Sequence, residues 1–314
     1  MVPQLRDRGG CAPRSRRRRG SDVVSVVAQA VEGTIVTGSI YGLVGVGFAL
    51  LFRASKVLSF AQGGFMLLGA FLFYSLVRDG DRPFPLAALI TMITVAAFSA
   101  LVYVLIFARV AAREAFATSV ATIGLAGVLQ AAVGIKYGTA PLSLPDVVST
   151  RAYRVLGAVV PVADIVAVAM AAAVVAVLVL MLRYTQLGLR MAAVADNATL
   201  AVHLGVSSAR VATVAWALAG GTAALAGIAF SLRSSVDPVG VANVGLFAFP
   251  AIILGGLGSV GGALVGGVML AGIQNAVRIG IGSAWVDLFS FAIMLAFLFF
   301  RPSGLFGKAE VVRL

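Results

Sequence analysis

The chain reads as an all-α integral membrane protein, a polytopic bundle of eight to nine transmembrane helices with one short or re-entrant helix. Three observations predict it. Of its 314 residues 61% are hydrophobic and only 11% are charged, less than half the roughly 25% charged that is usual in soluble domains. The mean hydropathy is +1.04, and a water-soluble chain of this length could not bury that much apolar surface. The charges are also spaced so that charge-free windows recur at the length a bilayer needs, about 20 residues.

Those windows give the elements in order. Residues 33–52, 57–77, 83–108, 115–135 and 211–232 carry no charge, and 165–182 gives another span, extended towards Val159 across Asp164. Residues 238–277 are also free of charge. As one straight helix they would run about 60 Å, twice the bilayer core, so they must fold back. Gly255, Gly256, Gly258, Gly261 and Gly262 favour a turn at the centre. That leaves 243–254 as the short or re-entrant helix and 260–277 as a full span. A last span, 283–300, stops at Arg301-Pro302. Segment 1–22 holds Arg6, Arg8, Arg14 and Arg16 to Arg19 and is expected to be a disordered tail, with 23–314 as the transmembrane domain. Ala28-Gln29-Ala30 resembles a leader cleavage site, but the apolar run before it is shorter than the about 7–15 residues a leader needs.

Composition restricts the chemistry. The net charge of +12 fits loops facing anionic lipid better than nucleic acid. One cysteine, Cys11, and one histidine, His203, exclude an intrachain disulfide and Cys- or His-based metal sites; no cofactor is expected. None of Lys56, Lys136 and Lys308 precedes Ser or Thr, so a phosphate-binding Gly-Lys-Ser/Thr loop is absent and any ATPase must be another chain. A membrane-embedded enzyme would need clustered His, Asp or Cys, which this chain lacks. Gly38/Gly42 and Gly258/Gly262/Gly266 have the four-residue spacing that lets helices approach closely in lipid. Glu32, Asp164 and Asp287 lie near span ends, where snorkelling lowers the cost of a charge. Gln62, Gln130, Gln274 and Asn275 are suited to hydrogen bonding across helices or to touching a polar solute.

The longest polar stretch between later spans is 183–210. Within it, 193–204 is alanine-rich without Gly or Pro and should be one helix stopped by Gly205. Met191, Val194, Ala198, Ala201 and Leu204 fall roughly on one face, suited to lying on the bilayer or to plugging into a partner.

Three segments together resemble the permease subunit of branched-chain amino-acid ABC importers, the H-type of its two paralogous permeases. They are Thr37-Gly38-Ser39-Ile40-Tyr41-Gly42-Leu43 with Lys56-Val57-Leu58-Ser59-Phe60-Ala61-Gln62-Gly63-Gly64; the 188–206 loop; and Ala251-Ile252-Ile253-Leu254-Gly255-Gly256-Leu257-Gly258-Ser259 with the C-terminal Arg301-Pro302-Ser303-Gly304-Leu305-Phe306-Gly307. The resemblance implies a multi-pass protein of the cell (inner or plasma) membrane. Its implied partners are a second paralogous permease in a heterodimer, two cytosolic ABC ATPases, an extracytoplasmic solute-binding protein and membrane lipid. It implies transport of Leu, Ile or Val rather than catalysis. At Gly64, Ser59 and Glu32 the chain departs from the Glu and Asn many members carry, which keeps urea, short amides or another small solute open as cargo. An ATP-independent channel or secondary carrier is the reading from a different class.

The resemblance also assigns residues. In the ATPase-coupling loop Gly188 sets the turn, Arg190, Asp196 and Asn197 are polar contacts, and the face holding Ala193, Ala201 and Leu204 docks in a groove, ending at Gly205. Ser59, Gln62, Gly63, Gly255, Gly256, Gly258 and Ser259 form the translocation path and its helix break. Five spans precede the cytoplasmic loop, so the N-terminus is expected outside and the C-terminus inside. Apart from the tail, the inside loops then hold Arg53, Lys56, Arg109, Arg113, Arg183, Arg190, Arg210, Arg301, Lys308 and Arg313, a weak majority of the basic residues, in line with the positive-inside tendency, whereas the tail arginines, outside in this orientation, run against it.

Overall fold

Hydrocarbon offers backbone N–H and C=O groups no partner but each other, so charge-free stretches of bilayer length close into helices. The computed structural model describes residues 15–80, 82–110, 115–145, 148–149, 151–155, 158–301 and 303–307. In chain order the elements are α1 (Ser15–Ser55), α2 (Gln62–Arg78), α3 (Phe84–Val102), a π turn (Tyr103–Phe107) leading into α4 (Ala108–Val110), α5 (Ala115–Tyr137), β1 (Ala152–Val155), β2 (Ala158–Pro161), α6 (Val162–Tyr184), α7 (Gln186–Asp196), α8 (Ala198–His203), α9 (Ser208–Arg233), α10 (Pro238–Gly255), α11 (Val260–Gly280) and, after a 3-10 turn, α12 (Val286–Phe300). Eight helical stretches among the described residues are long and apolar enough to cross a membrane. Helix α2 has 17 residues, about 25 Å, and lies enclosed between α9, α10, α5 and α3.

The spans alternate in direction. One end of the bundle holds the α1–α2 junction, α7–α8 and the α10–α11 turn; the far end holds the β1–β2 hairpin, the α9–α10 junction and the start of α12. The hairpin is antiparallel, with Ala152 opposite Pro161, and was not foreseen in an all-α reading. It meets the far end of α1, where Gln29 Nε2 donates to Val159 O and Val159 N donates back to Gln29 Oε1.

Two boundaries differ from expectation. Helix α1 starts at Ser15, so the last part of the tail expected to be disordered is helical; arginine is a good helix former and extends a helix already nucleated by the span below it. Residues 1–14 lie outside the described residues. Helix α10 runs from Pro238 to Gly255, 18 residues, so it is neither short nor re-entrant. Its start is marked by Asp237, whose Oδ1 accepts from Val239 N and Gly240 N, and by proline at the first helical position, the usual N-terminal pairing of a cap with a residue that has no N–H to lose.

Small residues bring the central helices together. A Cβ built on Gly38 would stand 2.7 Å from Val268 Cα, and one on Gly267 2.6 Å from Gly38 O; α1 and α11 therefore touch backbone to backbone. On its other side α11 meets α10, where a Cβ on Gly266 would lie 2.0 Å from Ala251 O. Such close approach is how helices associate where no hydrophobic drive separates helix from lipid. Gly258, the third of the spaced glycines, is not on a helix face; it sits in the α10–α11 turn at φ +82°.

Candidate functional site

The end of α6 is turned by Thr185, which is extended and whose Oγ1 accepts from Gly188 N at 3.4 Å. Gly188, expected to set that turn, is instead the third residue of α7 and buried. A Cβ there would stand 2.0 Å from Leu182 O, so glycine lets α7 fold back against the last turn of α6. Helix α7 packs on α1, α6 and α9, with Met191 and Val194 buried.

The expected single helix over 193–204 is two. Asn197 breaks it with an extended backbone (φ −151°, ψ 101°) and caps α8, its Oδ1 accepting from Leu200 N at 2.9 Å. Asn competes with a helical backbone through just this bond. Gly205 ends α8 as expected, at φ +85°; Gly205 N donates to Val202 O and Val206 N to Ala201 O, the two bonds of a Schellman stop.

The break also redistributes the expected face. Met191, Val194 and Ala201 turn inward, Ala193 is half-buried, and Ala198 and Leu204 are exposed, Leu204 to 75%. The residues that hold the pair to the bundle cannot also meet a partner. The surface left open carries Leu189, Leu200 and Leu204 beside Arg190, Asp196 and Asn197, with Arg190 Nη2 at 3.5 Å from Gln186 Oε1.

The other expected residues separate into two places. Ser59, Gln62 and Gly63 come together where the chain leaves α1, runs without regular structure through 57–61 and enters α2. Irregular backbone at membrane depth is tolerated only where protein or water surrounds it; here Phe60 N donates to Thr122 Oγ1 at 2.9 Å. Gln62 is wholly buried, and its Oε1 and Nε2, like Ser59 Oγ, make no hydrogen bond. A Cβ on Gly47 of α1 would meet Gln62 Oε1 at 2.7 Å and Thr222 Oγ1 of α9 at 3.1 Å, so the amide sits between α1 and α9. Gly63 faces α10, where a Cβ on Gly245 would lie 2.2 Å from Gly63 Cα.

Gly255, Gly256, Gly258 and Ser259 lie elsewhere, in the α10–α11 turn, ten residues past Gly245 and so about 15 Å along the helix. They are a helix break, as expected, and are not brought to Gln62. Gly256 takes φ +106°, Ser259 Oγ caps α11 by accepting from Gly262 N at 3.0 Å, and Leu305 N and Phe306 N donate to Leu254 O and Gly255 O. The C-terminal Gly-Leu-Phe-Gly segment therefore seals the end of α10.

At the far end the structure assembles a group that no linear pattern announced. Arg233, closing α9, lies 3.9 Å from Glu32 Oε2 of α1 and 3.8 Å from Asp164 Oδ1 of α6, and its Nη1 donates to Thr37 Oγ1 at 3.3 Å. The two acid side chains are 9% and 6% exposed, so they are buried partners rather than snorkelling ends; pairing with Arg233 lowers the cost of holding them there. The available signal was charge complementarity between three span ends. Asp287, by contrast, is exposed in the first turn of α12. Gln274 and Asn275 do bond across helices: Tyr41 Oη donates to Gln274 Oε1 at 2.9 Å, Gln274 Nε2 to Ser290 Oγ at 3.0 Å, and Asn275 Nδ2 to Thr34 Oγ1 at 2.9 Å.

The chain is similar to known proteins along most of its length. The chain is 24% identical over 298 residues to the high-affinity branched-chain amino acid transport system permease protein LivH of Escherichia coli (strain K12), covering 90% of this chain and 96% of that one. It is 25% identical over 304 residues to the permease protein BraD of Pseudomonas aeruginosa, covering 92% and 98%. Among solved structures, PsaBC from Streptococcus pneumoniae in complex with Fab shares the fold with a TM-score of 0.50 at 12% identity, over 91% of this chain and 95% of that one. The spanning helices and these likenesses make it a multi-pass protein of the inner membrane. The family described as branched-chain amino acid transport system, permease component, matches residues 30–298, and the chain belongs to that family.

Proposed function

We propose that this chain is the permease subunit of an ATP-driven ABC importer that carries Leu, Ile and Val across the cell membrane. In this reading it pairs with a second, paralogous permease, takes solute from an extracytoplasmic binding protein and has no catalytic activity of its own. Two cytosolic ATPase chains hydrolyse the ATP. The names of LivH and BraD support the cargo.

The observation that carries the reading is the α7–α8 pair. Met191 and Val194 fix it to the bundle while Leu189, Leu200 and Leu204, flanked by Arg190, Asp196 and Asn197, stay open to a partner. An apolar ridge with charged flanks suits a groove on a partner, the leucines giving affinity and the charges register. When the ATPases close they displace α7–α8, and because α7 packs on α1, α6 and α9 the displacement passes into the spans. Gln62, held between α1 and α9 with its amide unsatisfied, is then the polar group that movement of those helices opens to a solute or its water. Ser59 and Gly63 share that place; the Gly255–Gly256–Gly258–Ser259 turn serves as a pivot rather than a lining.

The test is uptake into vesicles holding both permeases and both ATPases, with purified binding protein and separate additions of leucine, isoleucine, valine and urea. ATP-dependent uptake of the three amino acids and none of urea is expected. Uptake without ATPase chains, or of urea alone, contradicts the proposal.

A further inference from the structure

Two carboxyls and one guanidinium meet at the far end of α1, α6 and α9, and as ions their charges do not cancel. Arg233 stands 3.9 Å from Glu32 Oε2 and 3.8 Å from Asp164 Oδ1, and the two acid side chains are almost out of reach of water. With both acids ionised, one negative charge would remain buried. A net charge in such a place is neutralised by a proton rather than held, and two carboxylates at one site each disfavour ionisation of the other.

The geometry also places the proton. Glu32 Oε2 accepts from Gln29 Nε2 at 3.1 Å, whereas Oε1 is buried and meets no donor. The Glu32 and Asp164 carboxyls are within hydrogen-bonding reach of each other. Two carboxylates have no hydrogen to share; a carboxylic acid facing a carboxylate does, and that bond is one of the strong ones. Among the described residues Asp164 and Arg233 are the charged groups acting on Glu32. The charges on other elements of this end are engaged or outside: Arg278 of α11 donates to Asn275 Oδ1 at 3.1 Å, Asp237 caps α10, and Tyr153 and Arg154 of β1 are exposed. Strand β2 carries no titratable side chain.

We infer that the Glu32–Asp164–Arg233 cluster is a proton-binding site. The two carboxyls hold one proton, carried on Glu32 Oε1 and donated to the Asp164 carboxylate, whose charge Arg233 balances. The step is protonation of one carboxylate to the neutral acid and needs no other reactant. Arg233 also lines a cavity of about 250 Å³ with Ser143, Ser149, Ser231, Ser234 and Ser235; Ser234 and Ser235 are exposed, so water approaches the cluster from the far end and the proton exchanges with the medium on that side. Alkali removes it, sets two carboxylates against each other and loosens α1 from α6. The folded chain keeps a proton that the unfolded chain gives up, so stability falls as pH rises.

The experiment follows the purified full chain in detergent from mildly acidic to mildly alkaline pH, reading the infrared C=O band of protonated carboxyl groups and the Tm. A protonated-carboxyl band is expected in acid, and its loss in alkali should accompany a fall in Tm of about 3 °C. Glu32→Gln, whose amide makes the same bond without titrating, and Asp164→Asn should each abolish the band and flatten the Tm profile while keeping the Tm of the acid form. No such band in the native chain, a band unchanged in either variant, or the same fall in Tm in all three chains overturns the inference. The infrared titration of the native chain decides the question even where a variant fails to fold.

Discussion

The same three helices, α1, α6 and α9, are tied together at both ends of the bundle, and the two ties are made of different material. At the far end Glu32, Asp164 and Arg233 join them by charge; at the other end α7 lies across all three and is held by the buried Met191 and Val194. A buried charge cluster is intolerant of change, because removing one member leaves the others uncompensated. An apolar contact has no such directionality and can slide, as packed elements do in shear motions. Under the proposed function, the difference gives one set of rods a fixed end and a driven end.

Five changes break or sharpen that contrast. Deleting 193–204, or Asp196→Lys on the open surface of α7, should abolish uptake and co-purification of the ATPases while membrane insertion stays intact; uptake assays and pull-down read both. Arg233→Met should act on the fixed end, leaving two carboxylates buried without a cation and costing about 3 kcal/mol of stability, seen as a lower Tm in detergent. Restoring balance with Glu32→Gln and Asp164→Asn in the same chain should recover much of it. Gly188→Val forces side-chain atoms against Leu182 O, a strain of about 1–3 kcal/mol. It should depress transport more than Tm, since it lifts α7 rather than opening the core. Asn197→Ala removes the α8 cap, worth about 1 kcal/mol, and should lower ATPase affinity slightly, as titration of the ATPase onto reconstituted permease would show.

The spans were legible because charges punctuate them: Arg53, Arg78, Arg109, Lys136, Arg183 and Arg233 each close or follow a helix. The α10–α11 turn was legible from its glycines for the same local reason. The Glu32–Asp164–Arg233 cluster was not, since it joins residues from three distant parts of the chain and each alone looks like an ordinary interfacial charge. Asp237-Pro238 carried a helix-start signal that the uninterrupted apolar window concealed, so α10 is longer than expected. Asn197 looks like any polar residue of a surface helix until its side chain is seen to bond Leu200 N. The inward turn of Met191 and Val194 depends on where α1 and α9 stand, which periodicity along one segment does not contain.

The side of the membrane on which α7–α8 lies decides the driven end. A single cysteine at Asp196, with Cys11 replaced by serine, can be probed with a membrane-impermeant maleimide in intact cells and in inverted vesicles. Labelling in inverted vesicles alone is the expected result; labelling in intact cells would put the α7–α8 pair out of reach of any cytosolic ATPase and contradict its role as the driven end.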